Sequence, residues 1–481
     1  MMNRLALNRP VLTLGTMPAV FLAALIAGMV VPPLVAERSV VMALSGMVAV
    51  AVAFAMPLLP ALAFPILVAI APFHGLLPGR LMGIQGLDPL VLLLFGALVG
   101  TVVRALKDHR PLVLDRRVLG PMVAVLLLGM IAIVRARLRP GSPPMGGLVP
   151  FILGYFAIPV LPVIFFFVGT NLPIRDREAR WGLYSLLATV GIGSLLFGGA
   201  LFSGAAPDIG ARYITTRLGM LAGHGRVVAL ALPFAVFAFT YTSRKLLRGL
   251  ILAGSVASIA TLLYSFTRAA YLAAAVALVV LAVAEYRKLI WVGVVALISS
   301  PIWLPVAVWD RVFSLGTVAS SDWSIVSEYT SGRVAIWGAA WNFIQEYSWV
   351  VPLGGGSGIF TQHSGEFGPM GAILLGSYDV HNFFIELLTD QGVIGLVAYA
   401  WLLVAVMGLA WGMYHSRQDK FVRGLGLACA AYIPATLCLS FFSAFNLFSV
   451  ENSAFWLFVG VLAARRMGVG GEAALKESGR P

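Results

Sequence analysis

Several side chains that can transfer a proton or bind an anion stand together at the start of one apolar segment. His381, Asn382, Glu386 and Asp390 lie in the stretch YDVHNFFIELLTDQG, where a long polar loop meets a run of membrane length. Asp379 can cap a helix that begins near His381, which would place the imidazole in the first turn. There the helix dipole disfavours imidazolium, and the same helix end attracts an anion. The pattern predicts a general base beside an anionic group.

The two carboxylates that follow His381 are predicted to lie on one face of the same helix. Glu386 and Asp390 are four residues apart and share one face with Asn382, so they would pair with arginines or orient the base. A second interpretation of His381 is an anchor that holds an interfacial helix at the membrane surface. That role needs no proton transfer.

Arginines in the later half of the chain stand at predicted helix ends. Arg217 enters an apolar span, Arg268 lies in a short hairpin between two spans, and Arg226 competes with Arg217 for the same role. A charge placed at the membrane centre costs about 2.5–3.5 kcal/mol and usually has an anionic partner. Because arginine grips phosphate bidentately, these residues and Arg333 are predicted to surround a pyrophosphate. Snorkelling towards lipid head groups is the alternative.

The elements that must position these residues are membrane helices. The chain has 481 residues, is 60% hydrophobic and only 11% charged, with mean hydropathy +0.94. That composition excludes a soluble domain, and apolar runs of about 17–25 residues predict an all-α polytopic membrane protein with about 12–14 transmembrane helices. The runs fall near 11–31, 39–56, 58–72, 88–106, 118–137, 148–170, 179–201, 226–242, 246–265, 268–285, 288–307, 384–411, 421–441 and 451–465.

The distribution of basic residues predicts the orientation. Lysine and arginine concentrate in alternate loops, which places both termini in the cytoplasm and one large loop on the outer side of the membrane. The inner loops account for most of the net charge of +13, so no nucleic-acid partner is needed. The predicted regions are N-terminal helices (1–201), central helices with the arginines (202–307), the large outer loop (308–380), C-terminal helices (381–466) and a cytoplasmic tail (467–481).

The large outer loop has the composition of an ordered segment. It is rich in tryptophan, and Val334–Ser348 shows the apolar spacing of a helix on or near the membrane. The glycine run Gly354–Gly358 lacks the Gly-Lys-Ser/Thr of a P-loop, so a tight turn with close backbone approach is favoured. With no Asp-x-Asp, His-Glu-x-x-His or Cys/His pattern, we expect a site without metal or cofactor.

These motifs together resemble a known family. His381-Asn382, nine residues and then Gly392-Val393-Ile394-Gly395 resemble the signature of the bacterial O-antigen ligase and polymerase superfamily. Ser331–Trp337 resembles the segment that opens the family's periplasmic loop, and Gly354–Phe360 resembles its glycine-rich turn. Arg217 and Arg268 match the family's two arginines. The resemblance covers about residues 210–410.

The resemblance implies a C-type glycosyltransferase architecture in the bacterial inner membrane, with its active site at the periplasmic face. Its donor would be a glycan on undecaprenyl pyrophosphate, and its acceptor lipid A–core or a growing polysaccharide. Carried over, His381 would deprotonate the acceptor hydroxyl, Arg217 and Arg268 would hold pyrophosphate, and Arg333 would support the loop or contact phosphate. The Gly-His-Gly at 223–225 departs from the family pattern, so Arg226 stays an alternative to Arg217.

A second class of function is a transporter or flippase for lipid-linked sugars. Its arginines would line a path across the membrane, whereas polar residues here concentrate at the outer ends of spans. Transporters also tend to show paired repeats with broken helices, which this sequence lacks. An inverting, metal-independent glycosyltransferase is therefore favoured, with membrane lipids around it.

Overall fold

The computed structural model describes residues 52–53, 60–72, 80–81, 84–85, 89–139, 157–202, 215–216, 219–304, 306, 308–309, 333–367, 379–416 and 419–468. Its first helices are α1 Pro60–Ile70, α2 Pro89–Lys107, α3 Arg116–Leu138, α4 Ala157–Asn171, α5 Asp176–Phe202, α6 Leu221–Tyr241, α7 Lys245–Tyr264, α8 Arg268–Ala284 and α9 Lys288–Trp303. The later helices are α10 Arg333–Glu346, α11 Val350–Leu353, α12 Ile359–Phe367, α13 Phe383–His415, α14 Lys420–Phe442 and α15 Ser453–Arg466. Two antiparallel two-residue ladders, Arg80–Leu81 with Ile84–Gln85 and Thr215–Thr216 with Gly219–Met220, are the strands among these residues.

Apolar helices dominate the described chain and confirm the predicted all-α polytopic membrane protein. Seven of them are long and apolar enough to cross a membrane, and α4, α8 and α9 are shorter apolar helices. Their bounds lie close to the predicted runs, as in α3 (predicted 118–137) and α14 (predicted 421–441). The predicted spans at 11–31 and 39–56 fall wholly or almost wholly outside the described residues, so the total of about 12–14 stays a prediction.

Small residues allow the helices to pack closely. A Cβ atom at Gly460 of α15 would lie 2.6 Å from the Phe166 carbonyl oxygen of α4, so both backbones meet there. In lipid, helices associate where small residues let backbones approach, because burial of apolar surface drives little association. The α8 helix, which packs on α14, uses the same device through an alanine stripe: Ala269, Ala270, Ala273, Ala274 and Ala277.

Ion pairs connect the helices at the end of the bundle that contains Asp115 and Asp176, here called the opposite end. Arg466 of α15 binds Asp115, which also caps α3 by accepting a hydrogen bond from the Arg117 N–H. Arg465 binds Asp176 at the start of α5 at 2.6 Å. The other end of the bundle, called the His381 end, contains the start of α13 and the C-terminus of α3.

The described part of the 308–380 loop contains helices α10, α11 and α12, which we call the loop module. Phe343, Ile359 and Phe360 are buried in its own small core together with Val380. The prediction of a helix at Val334–Ser348 is confirmed by α10. Its Trp337 packs against Phe441 of α14 at 5.4 Å between ring centroids, so this face of the helix contacts protein.

Candidate functional site

The predicted base lies in a turn that precedes the helix. Asn382, with φ −148° and ψ 108°, is the N-cap of α13, and its Oδ1 accepts hydrogen bonds from the N–H groups of Phe384 (3.0 Å) and Ile385 (3.2 Å). The predictions that Asp379 caps this helix and that His381 occupies its first turn are therefore wrong. His381 adopts a left-handed backbone conformation, with φ 51°. Such conformations persist where surrounding contacts impose them, and they cluster at functional sites.

Contacts on both sides hold the His381 turn. The indole N–H of Trp337 donates to the Val380 carbonyl oxygen at 3.1 Å, and Thr361 donates to the Asp379 carboxylate at 3.4 Å. On the other side, the Phe383 N–H donates to the Ser443 carbonyl oxygen at 3.1 Å. The loop module and the end of α14 thus hold the backbone of the turn that carries His381.

The N-terminus of α13 has no backbone donors left for a ligand. The N–H groups of Phe383, Phe384 and Ile385 are bonded as described above, and that of Glu386 donates to the Asn382 carbonyl oxygen at 3.0 Å. The expected anion site at this helix end would therefore depend on side chains. The positive end of the dipole still faces His381.

Charged groups from three parts of the chain act on His381. Partial burial lowers the pKa of its imidazole below the ordinary value of 6.5, and the guanidinium groups of Arg333 and Arg226 lower it further. The Asp379 carboxylate opposes them. All these effects except that of Asp379 favour the neutral ring that a general base requires. The structure therefore brings Arg226 and Arg333 close to the predicted base.

Of the other two arginines predicted to bind pyrophosphate, the structure describes Arg268 but not Arg217. Arg268 is the first residue of α8 and is half-buried. Its turn lies against the start of α6, because a Cβ atom at Gly225 would meet Ser265 Oγ at 2.5 Å. Arg226, in the second turn of α6, and Arg268, at the start of α8, thus lie on adjacent helices. Arg217 lies outside the described residues.

The glycine run forms the predicted close-approach turn. Gly354, Gly356 and Gly358 have positive φ angles of 71°, 97° and 69°. The turn inserts where α13 is kinked at Gly392 (φ 74°), and the Gly356 N–H donates to the Asp390 carbonyl oxygen at 2.9 Å. A side chain at Gly354 would collide with this backbone. Glycine is required here for both conformation and space.

Two arginines that the sequence analysis did not single out secure this turn. Arg135 Nη1 donates to the Leu353 carbonyl oxygen at 2.6 Å, and Arg139 Nη2 donates to the Gly355 carbonyl oxygen at 2.7 Å. Burial lowers the pKa of Arg139, while nearby Asp390 opposes that shift. The cluster RARLR at the end of α3 was the sequence signal for this contact.

Glu386 and Asp390 share a face, as predicted, and that face borders a cavity of about 450 Å³. Its other polar walls come from Ser357, Gln391 and the segment between α14 and α15, which contributes Asn446, Ser449 and Glu451. The expected pairing of the two carboxylates with arginines is not seen among the described ion pairs. Asp390 Oδ2 instead accepts a hydrogen bond from the Gly358 N–H at 3.0 Å.

A second cavity of similar volume has no comparable chemistry. It lies between α5, α6 and α7 and is lined almost entirely by apolar side chains, such as Leu187, Leu232 and Leu250. Its residues on α6 (Val228 and Ala231 among them) are on the face of the helix away from Arg226. The polar cavity at the His381 end is therefore the better candidate for a site.

Fold and site together define a helical membrane protein that gathers an imidazole, two guanidinium groups and a polar cavity at one end of its bundle. Residues 253–400 match the family model described as O-antigen ligase (Wzy_C), which confirms the resemblance to the O-antigen ligase and polymerase superfamily. The match includes Arg268, Arg333 and His381 but stops short of Arg217 and Arg226. No curated protein matches the chain significantly. The family match supports a membrane role in glycan transfer of the ligase or polymerase type.

Proposed function

We propose that the protein transfers a glycan from undecaprenyl pyrophosphate to a hydroxyl group of lipid A–core or of a growing polysaccharide. The observation that carries the proposal is the approach of Arg226 and Arg333 to His381, in a turn with φ 51° inside or beside the matched region. A neutral imidazole next to fixed positive charge suits a reaction that removes a proton and releases a pyrophosphate.

In the proposed reaction, a ring nitrogen of His381 accepts the proton of the acceptor hydroxyl. The hydroxyl oxygen forms a bond to the anomeric carbon, and the bond from that carbon to the pyrophosphate oxygen breaks. Undecaprenyl pyrophosphate leaves with the electron pair. A single displacement of this kind inverts the anomeric configuration, and the activated leaving group makes a nucleotide or metal unnecessary.

The arginines have the complementary task of stabilising charge on the leaving group. Arg268 and Arg217 are proposed to bind the pyrophosphate, and Arg226 and Arg333 to add positive charge between it and His381. Asn382 holds the turn through its cap, and Glu386 contributes to the polar cavity. Guanidinium groups suit this task because they keep their charge and bind phosphate through two donors.

The proposed location is the bacterial inner membrane, with the His381 end facing the periplasm. Ser348 of the loop module and Ser243 between α6 and α7 are both exposed, on opposite ends of the bundle. In intact spheroplasts, a membrane-impermeant thiol reagent should label Ser348→Cys and leave Ser243→Cys unlabelled. Labelling of Ser243→Cys alone would show that the His381 end faces the cytoplasm.

The central test is a reconstituted reaction. Purified protein in liposomes is mixed with an undecaprenyl-pyrophosphate-linked glycan and either lipid A–core or a second lipid-linked glycan. We expect a glycosylated acceptor and free undecaprenyl pyrophosphate in equal amounts. Movement of the intact donor across the bilayer without product would instead indicate a flippase.

A further inference from the structure

The polar cavity at the His381 end contains hydrogen-bond acceptors that have no donor. Asp390 is only 7% exposed, and while its Oδ2 is bonded to Gly358, its Oδ1 has no hydrogen-bond partner. The buried Oε1 of Gln391 has none either. Both residues line the cavity. A buried acceptor without a donor costs about 1–3 kcal/mol, so a ligand that brings donors into this cavity would be stabilised.

The acidic side chains in the cavity walls favour a ligand without negative charge. The described walls contain three carboxyl-bearing side chains, Glu386, Asp390 and Glu451, and no lysine, arginine or histidine, although the protein carries a net charge of +13. Phosphate brings further acceptors and negative charge, which these walls would disfavour. The described carboxyl groups also form no cluster that could hold a metal ion. A neutral ligand with many hydroxyl groups fits best.

The cavity lies on a definite side of the base. Phe383 and Glu386, which follow His381 closely in sequence, line the cavity, so it begins next to the His381 turn, although His381 itself is not one of its walls. The arginines at 226, 268 and 333 are also absent from its walls. In a direct displacement, the attacking oxygen approaches the anomeric carbon from the side opposite the leaving group. If the arginines hold pyrophosphate, the attacking sugar belongs on the side of the cavity.

We propose that this cavity binds the acceptor as a neutral, polyhydroxylated sugar whose reacting end carries no phosphate. This inference rests on the proposed function and names the acceptor chemistry of the same site. One hydroxyl of the bound sugar gives its proton to His381 and its oxygen to the anomeric carbon. Other hydroxyls donate to the carboxyl and amide oxygens of Asp390, Gln391 and Glu451. The volume of about 450 Å³ is within the range of about 300–1,000 Å³ typical of ligand sites.

The first experiment tests the cavity without relying on turnover. In full-length protein with Cys429 and Cys438 replaced by alanine, Ser449→Cys places one thiol in the cavity wall, and Ser348→Cys on the loop module is the control. Cationic and anionic methanethiosulfonate reagents are compared at both positions. We expect the cationic-to-anionic rate ratio to be about tenfold higher at Ser449→Cys, because the exposed carboxylate of Glu451, two residues away in the same wall, attracts the cation. Equal ratios would overturn the proposal.

Protection of the same thiol identifies the ligand class. The probes are a neutral oligosaccharide glycoside and the same compound with one phosphate monoester. The neutral probe should slow labelling of Ser449→Cys and leave Ser348→Cys unaffected, while the phosphorylated probe protects less. Equal protection by both probes, or none from the neutral one, would contradict a neutral sugar site.

Kinetics in the reconstituted reaction then separate the acceptor from the donor. Glu451→Gln should raise the KM for the acceptor about tenfold, as expected for loss of a hydrogen bond to a charged group, and leave the KM for the donor unchanged. Glu346→Gln, at an exposed carboxylate of α10, is the matched control. A change in donor KM alone would assign the cavity to the donor sugar. If the unmodified protein transfers no glycan, the proposed function fails, and the labelling results still report on the cavity.

Discussion

At the opposite end of the bundle, Asp115 and Asp176 are bound by Arg466 and Arg465, whereas at the His381 end Asp390 keeps one carboxyl oxygen without a hydrogen-bond partner. Arginines are present at both ends. At the His381 end, however, those of α3 bind backbone carbonyl groups of the glycine turn, and Arg226 and Arg333 act on His381. Asp390 lies near Arg139 but forms no ion pair with it among the described residues.

The two ends therefore use their charged groups differently: those at the opposite end join helices through ion pairs, and those at the His381 end surround the proposed site. An arginine bound to a carboxylate has its donors and its charge satisfied, so it holds helices together and has little left for a ligand. In the proposed site, the unpaired acceptors of the cavity suit hydroxyl groups, and the guanidinium groups near His381 suit an anion. The variants below test this contrast at each end.

The strongest test removes the base. His381→Ala should reduce transfer by about 10²–10⁴-fold, the usual contribution of a general base, while donor binding persists. His415→Gln, a histidine at the opposite end, is the control and should keep normal turnover. Turnover and donor binding are measured on the same purified samples. Normal turnover of His381→Phe would show that the imidazole is only an anchor.

Replacement of arginine by lysine tests whether positive charge alone is enough at the His381 end. Arg268→Lys should lower kcat/KM by at least about tenfold, since one ammonium cannot reproduce a bidentate grip on phosphate in the transition state. Arg217→Lys should behave similarly and Arg226→Lys more mildly. Arg244→Lys, between α6 and α7, should have no effect. A neutral Arg217→Lys with an inactive Arg226→Lys would assign the pyrophosphate site to Arg226.

The helices of this protein follow closely from its sequence, because each depends on a local run of apolar residues of membrane length. The glycine turn was also predictable, since three positive φ angles and close backbone contacts demand glycine. His381 and Asn382 were also recognisable as candidate site residues, because they are neighbours in the sequence at the start of an apolar run.

The geometry of the site depends on contacts that are distant in sequence. Asp379 and Asn382 are both good N-caps, and the choice between them follows from the contacts that Trp337 and Ser443 make on either side of His381. The bond from Arg139 to Gly355 joins residues 216 positions apart. No local pattern could have placed these partners, or the cavity that Asn446 and Glu451 complete.

A third test concerns the ion pairs at the opposite end of the bundle. Arg466→Gln removes the partner of the buried Asp115 carboxylate and should lower the free energy of unfolding by about 1–3 kcal/mol. Arg104→Gln breaks a more exposed pair with Asp108 and should cost at most about 0.5 kcal/mol. Thermal unfolding measures both effects. At temperatures where both variants are folded, their kcat/KM should equal that of the unmodified protein. A variant that lost activity but kept its stability would contradict the purely structural role of the ion pairs at the opposite end.

The smallest effect concerns the pH dependence of transfer. Burial, Arg333 and Arg226 lower the pKa of His381 and Asp379 raises it, so kcat/KM should rise with pH around a midpoint below 6.5, as the imidazole loses its proton. Asp379→Asn removes an anion that stabilises imidazolium, and the midpoint should move to lower pH. Arg333→Gln removes a cation that destabilises imidazolium, and the midpoint should move to higher pH, whatever happens to the maximal rate. Glu366→Gln, which removes an exposed carboxylate paired with His363, should leave it in place. Shifts of opposite sign in these two variants would show that the group that titrates in the reaction is His381. A midpoint unchanged in both variants would assign the base to another group.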